Sequence, residues 1–265
     1  MSNIRKVKLF INKKEKSQGV AFKVREALKR NGFEESEEDF DLGIAIGGDG
    51  TFLRMIKLSN FRSDVFFVGI NAGALGFAQE VRVEEIDSFM DSLKEENFFY
   101  EEIGVGKGIV KTNEKEEEFH FLNEVAIRDE ELNVNEMNIS INDVLLEEFA
   151  GDGLLIATSF GSTAYNLSYG GSMVYNTFHT LQITPIAPIN NKIHRSLRNS
   201  VIIPFQSTIT LETNKNKDLI LMVDGNNTYY HNVEKITLTG KEEPIKVIRQ
   251  QNYNFIQKVN EKFLK

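Results

Sequence analysis

The chain has no cysteine. That absence excludes disulfides, thiolate nucleophiles and Cys-type zinc sites together. Histidine is scarce too: His120, His179, His194 and His231 stand far apart, with no i,i+4 pair suited to a helical metal site. No apolar run approaches the roughly 18 residues of a membrane span, so no membrane partner is expected. Positive charge is short, with 31 basic against 39 acidic side chains and a formal net charge of −8. Nucleic-acid binders carry a basic face that neutralises phosphates, so no nucleic-acid partner is expected. An anionic substrate would instead be met by backbone N–H groups and a divalent cation such as Mg²⁺. Neither a Walker A loop nor a Gly-x-Gly-x-x-Gly fingerprint occurs, and no repeat or low-complexity linker interrupts the chain.

What is present is ordinary globular composition, 41% hydrophobic and 26% charged, over 265 residues. That length suggests two domains at about 150 residues each. The opening Met1-Ser2-Asn3-Ile4-Arg5-Lys6 leads straight into an apolar strand rather than a signal peptide, and a cytoplasmic location is expected.

The first hundred residues alternate strand and helix. Val7–Asn12 is a short apolar run, followed by Val20, Ala21, Val24, Ala27 and Leu28 at helical spacing and a stop at Asn31-Gly32. Leu42–Ile46 and Val65–Ile70 read as buried strands, and Ile86, Phe89, Met90 and Leu93 mark one face of a further helix. Continuous apolar strands between helices imply a parallel sheet covered on both faces. Beyond residue 100 the period drops to two: Met137–Ile141, a turn at Asn142-Asp143, then Val144-Leu145-Leu146. Val201–Pro204, Ser207–Thr213, Leu219–Val223 and Lys235–Thr239 continue a mainly β second domain, with helix only after Gly161. The expected division is 1–100 and 101–249. A terminal helix within 250–265, with Phe255, Val259 and Phe263 four apart, is free to pack back on the first domain.

Three stretches carry candidate chemistry. Gly47-Gly48-Asp49-Gly50-Thr51 joins a buried strand to a helix, where glycines let backbone N–H groups approach a phosphate. An aspartate among them suits a group that accepts a proton from an attacking hydroxyl, or it caps the helix. Gly151–Gly171 is dense in glycine and hydroxyls, with Tyr165 among them. It either offers donors and an aromatic ring to a sugar, phosphate and base, or is a plain surface loop. Asn123-Glu124 interrupts an apolar strand and either receives a ribose diol or faces water at a strand edge. Asp224-Gly225 reads as a hairpin turn.

In this order and spacing, from about Asp41 to Asn226, these stretches resemble the NAD kinase family. The resemblance implies a Rossmann-like α/β N-terminal domain with a parallel sheet, a mainly β C-terminal domain, and an active site in the cleft between them. It implies phosphoryl transfer from ATP to the 2′-hydroxyl of NAD, with Mg²⁺ or another divalent cation entering with ATP and no protein-ligated metal. It further implies a homodimer or homotetramer whose neighbouring subunit can complete the site. The family's proton acceptor falls on Asp49, and Gly47, Gly48, Gly50 and Thr51 hold the triphosphate. The dinucleotide contacts fall on Asp49, Gly50, Arg54, Asn123, Glu124, Asp152, Thr163, Ala164, Tyr165, Asn166, Ser168, Ala187 and Asn226. The chain departs from the family pattern at Ala150, Ser159, Phe160, Ile189 and Asn226. A lipid kinase of the diacylglycerol or sphingosine type shares the Gly-Gly-Asp-Gly element but should lack the Gly151–Gly171 loop. A non-catalytic dinucleotide sensor on the same fold would keep that loop, and Asp49 argues against it.

Overall fold

A computed structural model describes residues 4–73 and 76–265, without the side chains of 214–216; residues 1–3 of the predicted lead-in lie outside the described residues. In chain order the elements are β1 (Lys6–Ile11), α1 (Glu15–Asn31), β2 (Glu34–Glu35), β3 (Leu42–Gly47), α2 (Asp49–Leu58), β4 (Phe66–Asn71), α3 (Ile86–Lys94) and β5 (Phe99–Ile103). There follow β6 (Gly106–Thr112), β7 (Glu116–Phe121), β8 (Glu124–Asp129), β9 (Asn135–Ile141), β10 (Val144–Gly151), β11 (Gly153–Thr158) and the single-turn α4 (Tyr165–Ser168). The chain ends with β12 (Thr180–Ile186), β13 (Val201–Pro204), β14 (Ile209–Val223), β15 (Asn226–Gly240), β16 (Ile245–Arg249) and α5 (Phe255–Phe263). These gather into two compact units, Met1–Glu102 with Ile245–Lys265, and Ile103–Pro244.

In the first unit the sheet order is β2-β1-β3-β4-β16-β5, and β2, β1, β3, β4 and β16 pair in parallel. Every residue of β3 is buried, as expected of a strand covered on both faces. Helix α1 turns Val20, Ala21, Val24, Ala27 and Leu28 inward and ends at Gly32, whose φ of 78° is the left-handed C-cap. Helix α3 buries Ile86, Phe89, Met90 and Leu93. Around β3, Ile44, Ile46, Val68, Ile70 and Phe89 form one core.

The second unit is antiparallel throughout, ordered β13-β12-β11-β8-β14-β15-β6-β7, with β9 pairing both β10 and β14. Asn142 and Asp143, at φ 50° and 64°, form the two-residue turn that sets Val144 opposite Ile141. One expectation is corrected. Ser207–Thr213 and Leu219–Val223 are not separate strands but the two ends of β14. The first end pairs with β9 and the second with β8, and the register of β14 against β15 shifts between them. The polar run between them spans two neighbours instead of turning back.

Candidate active site

The buried strand β3 delivers its chain to Gly48, the N-cap of α2, and Asp49 is the first helical residue. Asp49 does not hold the cap position of this helix, which belongs to Gly48, and its carboxylate is engaged elsewhere. Its carboxylate reaches across to the segment after β4. Oδ2 accepts the Phe77 N–H at 3.0 Å and Oδ1 the Ala78 N–H at 2.9 Å. This contact follows from the sheet: β3 and β4 are parallel neighbours with Gly47 opposite Asn71, so the loops after them leave the same sheet end. That end, at the carboxyl edge of parallel strands, is where α/β sheets bind ligands. Helix α5 completes the surroundings. Lys262 Nζ lies 3.2 Å from Asp49 Oδ2, and the Phe77 ring packs 5.7 Å from the rings of both Phe255 and Phe263.

Beside Asp49 lies a pocket of about 340 Å³ lined by Asn12, Lys14, Gly47, Gly48, Gly50, Thr51 and Arg54, among others. The leading N–H groups of a helix lack intrahelical partners, and α2 presents its own here. Lys14 and Arg54 add two cations, so a chain with net charge −8 still offers local positive charge. A second pocket shares Ala72 and Gly73 with the first and adds Lys16, Lys23 and Arg82. No carboxylate lines the first pocket among the described residues.

In the second unit, Glu124 begins β8 and is buried, with Oε2 lacking a hydrogen-bond partner. Burial, reinforced by the nearby Asp224 carboxylate, pushes its carboxyl up to about 8, and the Tyr165 backbone N–H offsets part of that rise. A strand edge facing water is therefore excluded for this side chain. Asp224 and Gly225 form the two-residue turn between β14 and β15, at φ 47° and 79°. The Asp224 carboxylate also accepts the N–H groups of Leu122, Asn123 and Glu124 at 2.8, 2.7 and 3.2 Å. Gly161 packs against the Asn123 backbone so closely that any Cβ would overlap the Asn123 carbonyl. The Gly151–Gly171 loop is thereby fixed to the Asn123-Glu124 strand.

The predicted dinucleotide residues differ in how free they are. Asn166 is fully buried and its amide is used internally, donating to the Ser162 carbonyl and accepting from the Thr184 hydroxyl at 2.6 Å. Thr163 is buried, while Ala164 and Tyr165 are half-buried. The Tyr165 and Tyr169 hydroxyls share a 2.8 Å hydrogen bond. Asp152, Ser168, Ala187 and Asn226 are exposed; Asp152 lies 3.8 Å from Arg128, and Ala187 holds a φ of 45°. Arg54, expected on the dinucleotide, lines the same pocket as Gly47, Gly48, Gly50 and Thr51. Ser159, one of the family departures, donates its hydroxyl to the Phe178 carbonyl and accepts the Thr180 N–H at 3.1 Å.

Residues 4–98 match the ATP-NAD kinase N-terminal domain and residues 122–249 the ATP-NAD kinase C-terminal domain. The NAD kinase of Finegoldia magna is 36% identical, covering 99% of this chain and 99% of its own. The chain belongs to the NAD kinase family. The NAD kinase of Streptococcus pneumoniae is 35% identical over 88% of this chain and 86% of its own. Among solved structures, yeast NADH kinase complexed with NADH aligns with a TM-score of 0.88 at 19% identity, covering 98% of this chain and 87% of that one. An Archaeoglobus fulgidus NAD kinase in complex with ATP aligns at 0.75 and 23% identity, over 97% and 98%. Both share the fold.

Within this NAD kinase fold, sequence reading missed the donors to Asp49 and the cations beside it. Phe77 and Ala78 follow Gly76 in a second glycine-containing run just past a buried strand, the same pattern that flagged Gly47–Thr51. Lys14 sits just past β1, whose parallel neighbour is β3, so its placement was open to the same reasoning. Lys262 carried no such signal. Glu130, Asp218 and His231 also gather in the second unit, with His231 Nδ1 3.2 Å from Asp218 and 3.6 Å from Glu130. They form a largely exposed ion-pair group.

Proposed function

We propose that this chain is an NAD kinase that transfers the γ-phosphoryl of ATP to the 2′-hydroxyl of the adenosine ribose of NAD, giving NADP and ADP. Asp49 carries the assignment: a carboxylate fixed by two backbone N–H groups at the edge of a glycine-lined, cation-bearing pocket. The pocket suits the triphosphate, with the α2 N-terminus, Lys14 and Arg54 meeting its charge. Asp49 takes the proton of the ribose hydroxyl as that oxygen attacks phosphorus. Phosphoryl transfer asks little more of a protein than positioning and charge neutralisation.

The dinucleotide is assigned to the second unit, with Glu124 and Asn123 toward a ribose and Tyr165 toward a base or sugar. A buried carboxyl with an unpartnered oxygen is suited to a diol, which supplies the missing donor. Mg²⁺ or another divalent cation enters with ATP and supplies charge neutralisation on the phosphates. A cytoplasmic homodimer or homotetramer belongs to the same proposal.

Purified protein incubated with NAD, ATP and Mg²⁺, coupled to an NADP-specific dehydrogenase, should produce NADP. Asp49→Asn should lower kcat by roughly 10²-fold or more while NAD affinity stays within a few fold. Near-normal turnover in that variant would remove Asp49 from the proton transfer.

A further inference from the structure

We infer that Lys262, from the last turn of α5, is a positioning residue that determines which oxygen of Asp49 receives the proton; the inference rests on the kinase reading above. A carboxylate has about four lone-pair sites, two on each oxygen. On Asp49, Oδ2 accepts both the Phe77 N–H at 3.0 Å and the Lys262 ammonium at 3.2 Å. Oδ1 accepts only the Ala78 N–H at 2.9 Å among the described residues. Among the described residues Oδ2 is therefore saturated, and Oδ1 keeps one acceptor position. Gly76 faces that oxygen, and any side chain at 76 would overlap Oδ1 first. Among the described residues, the backbone and Lys262 together leave one acceptor position, on Oδ1.

Lys262 is itself held. Its ammonium lies 5.3 Å from the Phe77 ring centroid and 5.9 Å from that of Phe263, and those two rings stack on each other. One turn earlier, Lys258 donates to the Gln79 carbonyl and the Glu80 carboxylate at 2.6 and 2.9 Å. Helix α5 thus grips the segment 77–80 at three points while reaching Asp49 with a fourth. In the reaction the ribose O–H bond breaks and its proton passes to Oδ1. The freed electron pair forms the new P–O bond, and the bridging oxygen of the departing diphosphate takes the pair of the bond that breaks. Without Lys262, Oδ2 regains an open position and competes with Oδ1 for the hydroxyl, although both oxygens stay on their backbone N–H groups, so the hydroxyl can settle off line for transfer. A misplacement near 1 Å costs on the order of 10²-fold.

The test is a kinetic cycle on the full chain. Lys262→Met should lower kcat about tenfold or more, with KM for NAD and ATP changed less than about threefold. Lys262→Arg, which keeps a donor on Oδ2, should recover most of the loss. In the Asp49→Asn background the same Met substitution should change the residual rate by less than about twofold, because Lys262 acts only through Asp49. Lys262→Gln provides the same reading should the Met variant melt early. An unchanged kcat in Lys262→Met or Lys262→Gln would overturn the inference. So would an equal loss with and without Asp49, which would make Lys262 a direct substrate contact. Absence of NADP formation by the unmodified chain would instead fail the kinase reading itself, which keeps the two outcomes distinct.

Discussion

Gly76 lies over Asp49 so closely that a single added carbon would collide with the carboxylate it faces. The flexible partner is the Asp49 side chain, so the cost of a methyl group there falls on catalysis before it falls on folding. Gly76→Ala should lower kcat by about 10²-fold, as expected for a displaced reacting group. Steady-state kinetics with a melting curve on the same sample check this. A variant with normal kcat would show that the Asp49 geometry is not needed.

Glu124 makes stability depend on pH in an unusual direction. Its carboxyl is raised to about 8 in the fold, against an ordinary value near 4.5, so the native state holds the proton more tightly. Between those values the unfolded chain binds fewer protons, and stability falls as pH rises through the window. Glu124→Gln mimics the protonated form. It should match the parent chain near pH 5 and exceed it near pH 8.5 by an order of a few kcal/mol. Urea unfolding at both pH values reads the difference, and equal stabilities at pH 8.5 would place the Glu124 carboxyl in the ordinary range.

Arg249 is fully buried, with its guanidinium 2.7 Å from Glu101, 3.2 Å from Glu80 and 4.4 Å from the Tyr253 ring centroid. Removing one member of a buried ionic group costs more than the group contributes, because the remaining charges stay desolvated. Arg249→Met should destabilise the first unit by about 3–5 kcal/mol. Adding Glu101→Gln to it should recover part of that loss. A loss below 1 kcal/mol in denaturant unfolding would contradict the burial of these charges.

Tyr165 and Asp152 separate substrate contact from scaffolding. Tyr165→Ala and Asp152→Ala should each raise KM for NAD about tenfold, the worth of one good polar contact, with a smaller effect on KM for ATP. A merely structural loop would instead lower the melting temperature and leave both constants in place. Asn166 is the contrast: with its amide committed to Ser162 and Thr184, Asn166→Ala should lower the melting temperature.

Local pattern carried much of the architecture. The strand–glycine–helix passage through Gly47–Thr51, the αL stop at Gly32 and the turn at Asn142-Asp143 each rest on chemistry within a few residues. Asp224 shows the boundary of such reasoning. Its turn was legible, but its side chain also gathers three N–H groups about 100 residues away. Lys262 and Asp49 are 213 residues apart, and no periodicity links them. The double strand predicted in place of β14 failed for the opposite reason. A polar run without glycine looked like a break, although pairing on both sides carries it straight through.

The parallel sheet of the first unit has β16 between β4 and β5. That strand is made only after all of Ile103–Pro244, which is contiguous in the chain. During synthesis the second unit can therefore fold while the first still lacks an inner strand and the helix that grips Asp49. Until Ile245–Arg249 emerges, β4 and β5 expose unpaired edges, the kind of surface that chaperones cover and that seeds aggregation. The nascent chain should pass through a stage with a finished β domain and an open α/β one, and a released fragment ending at residue 244 should resist protease only in its later half.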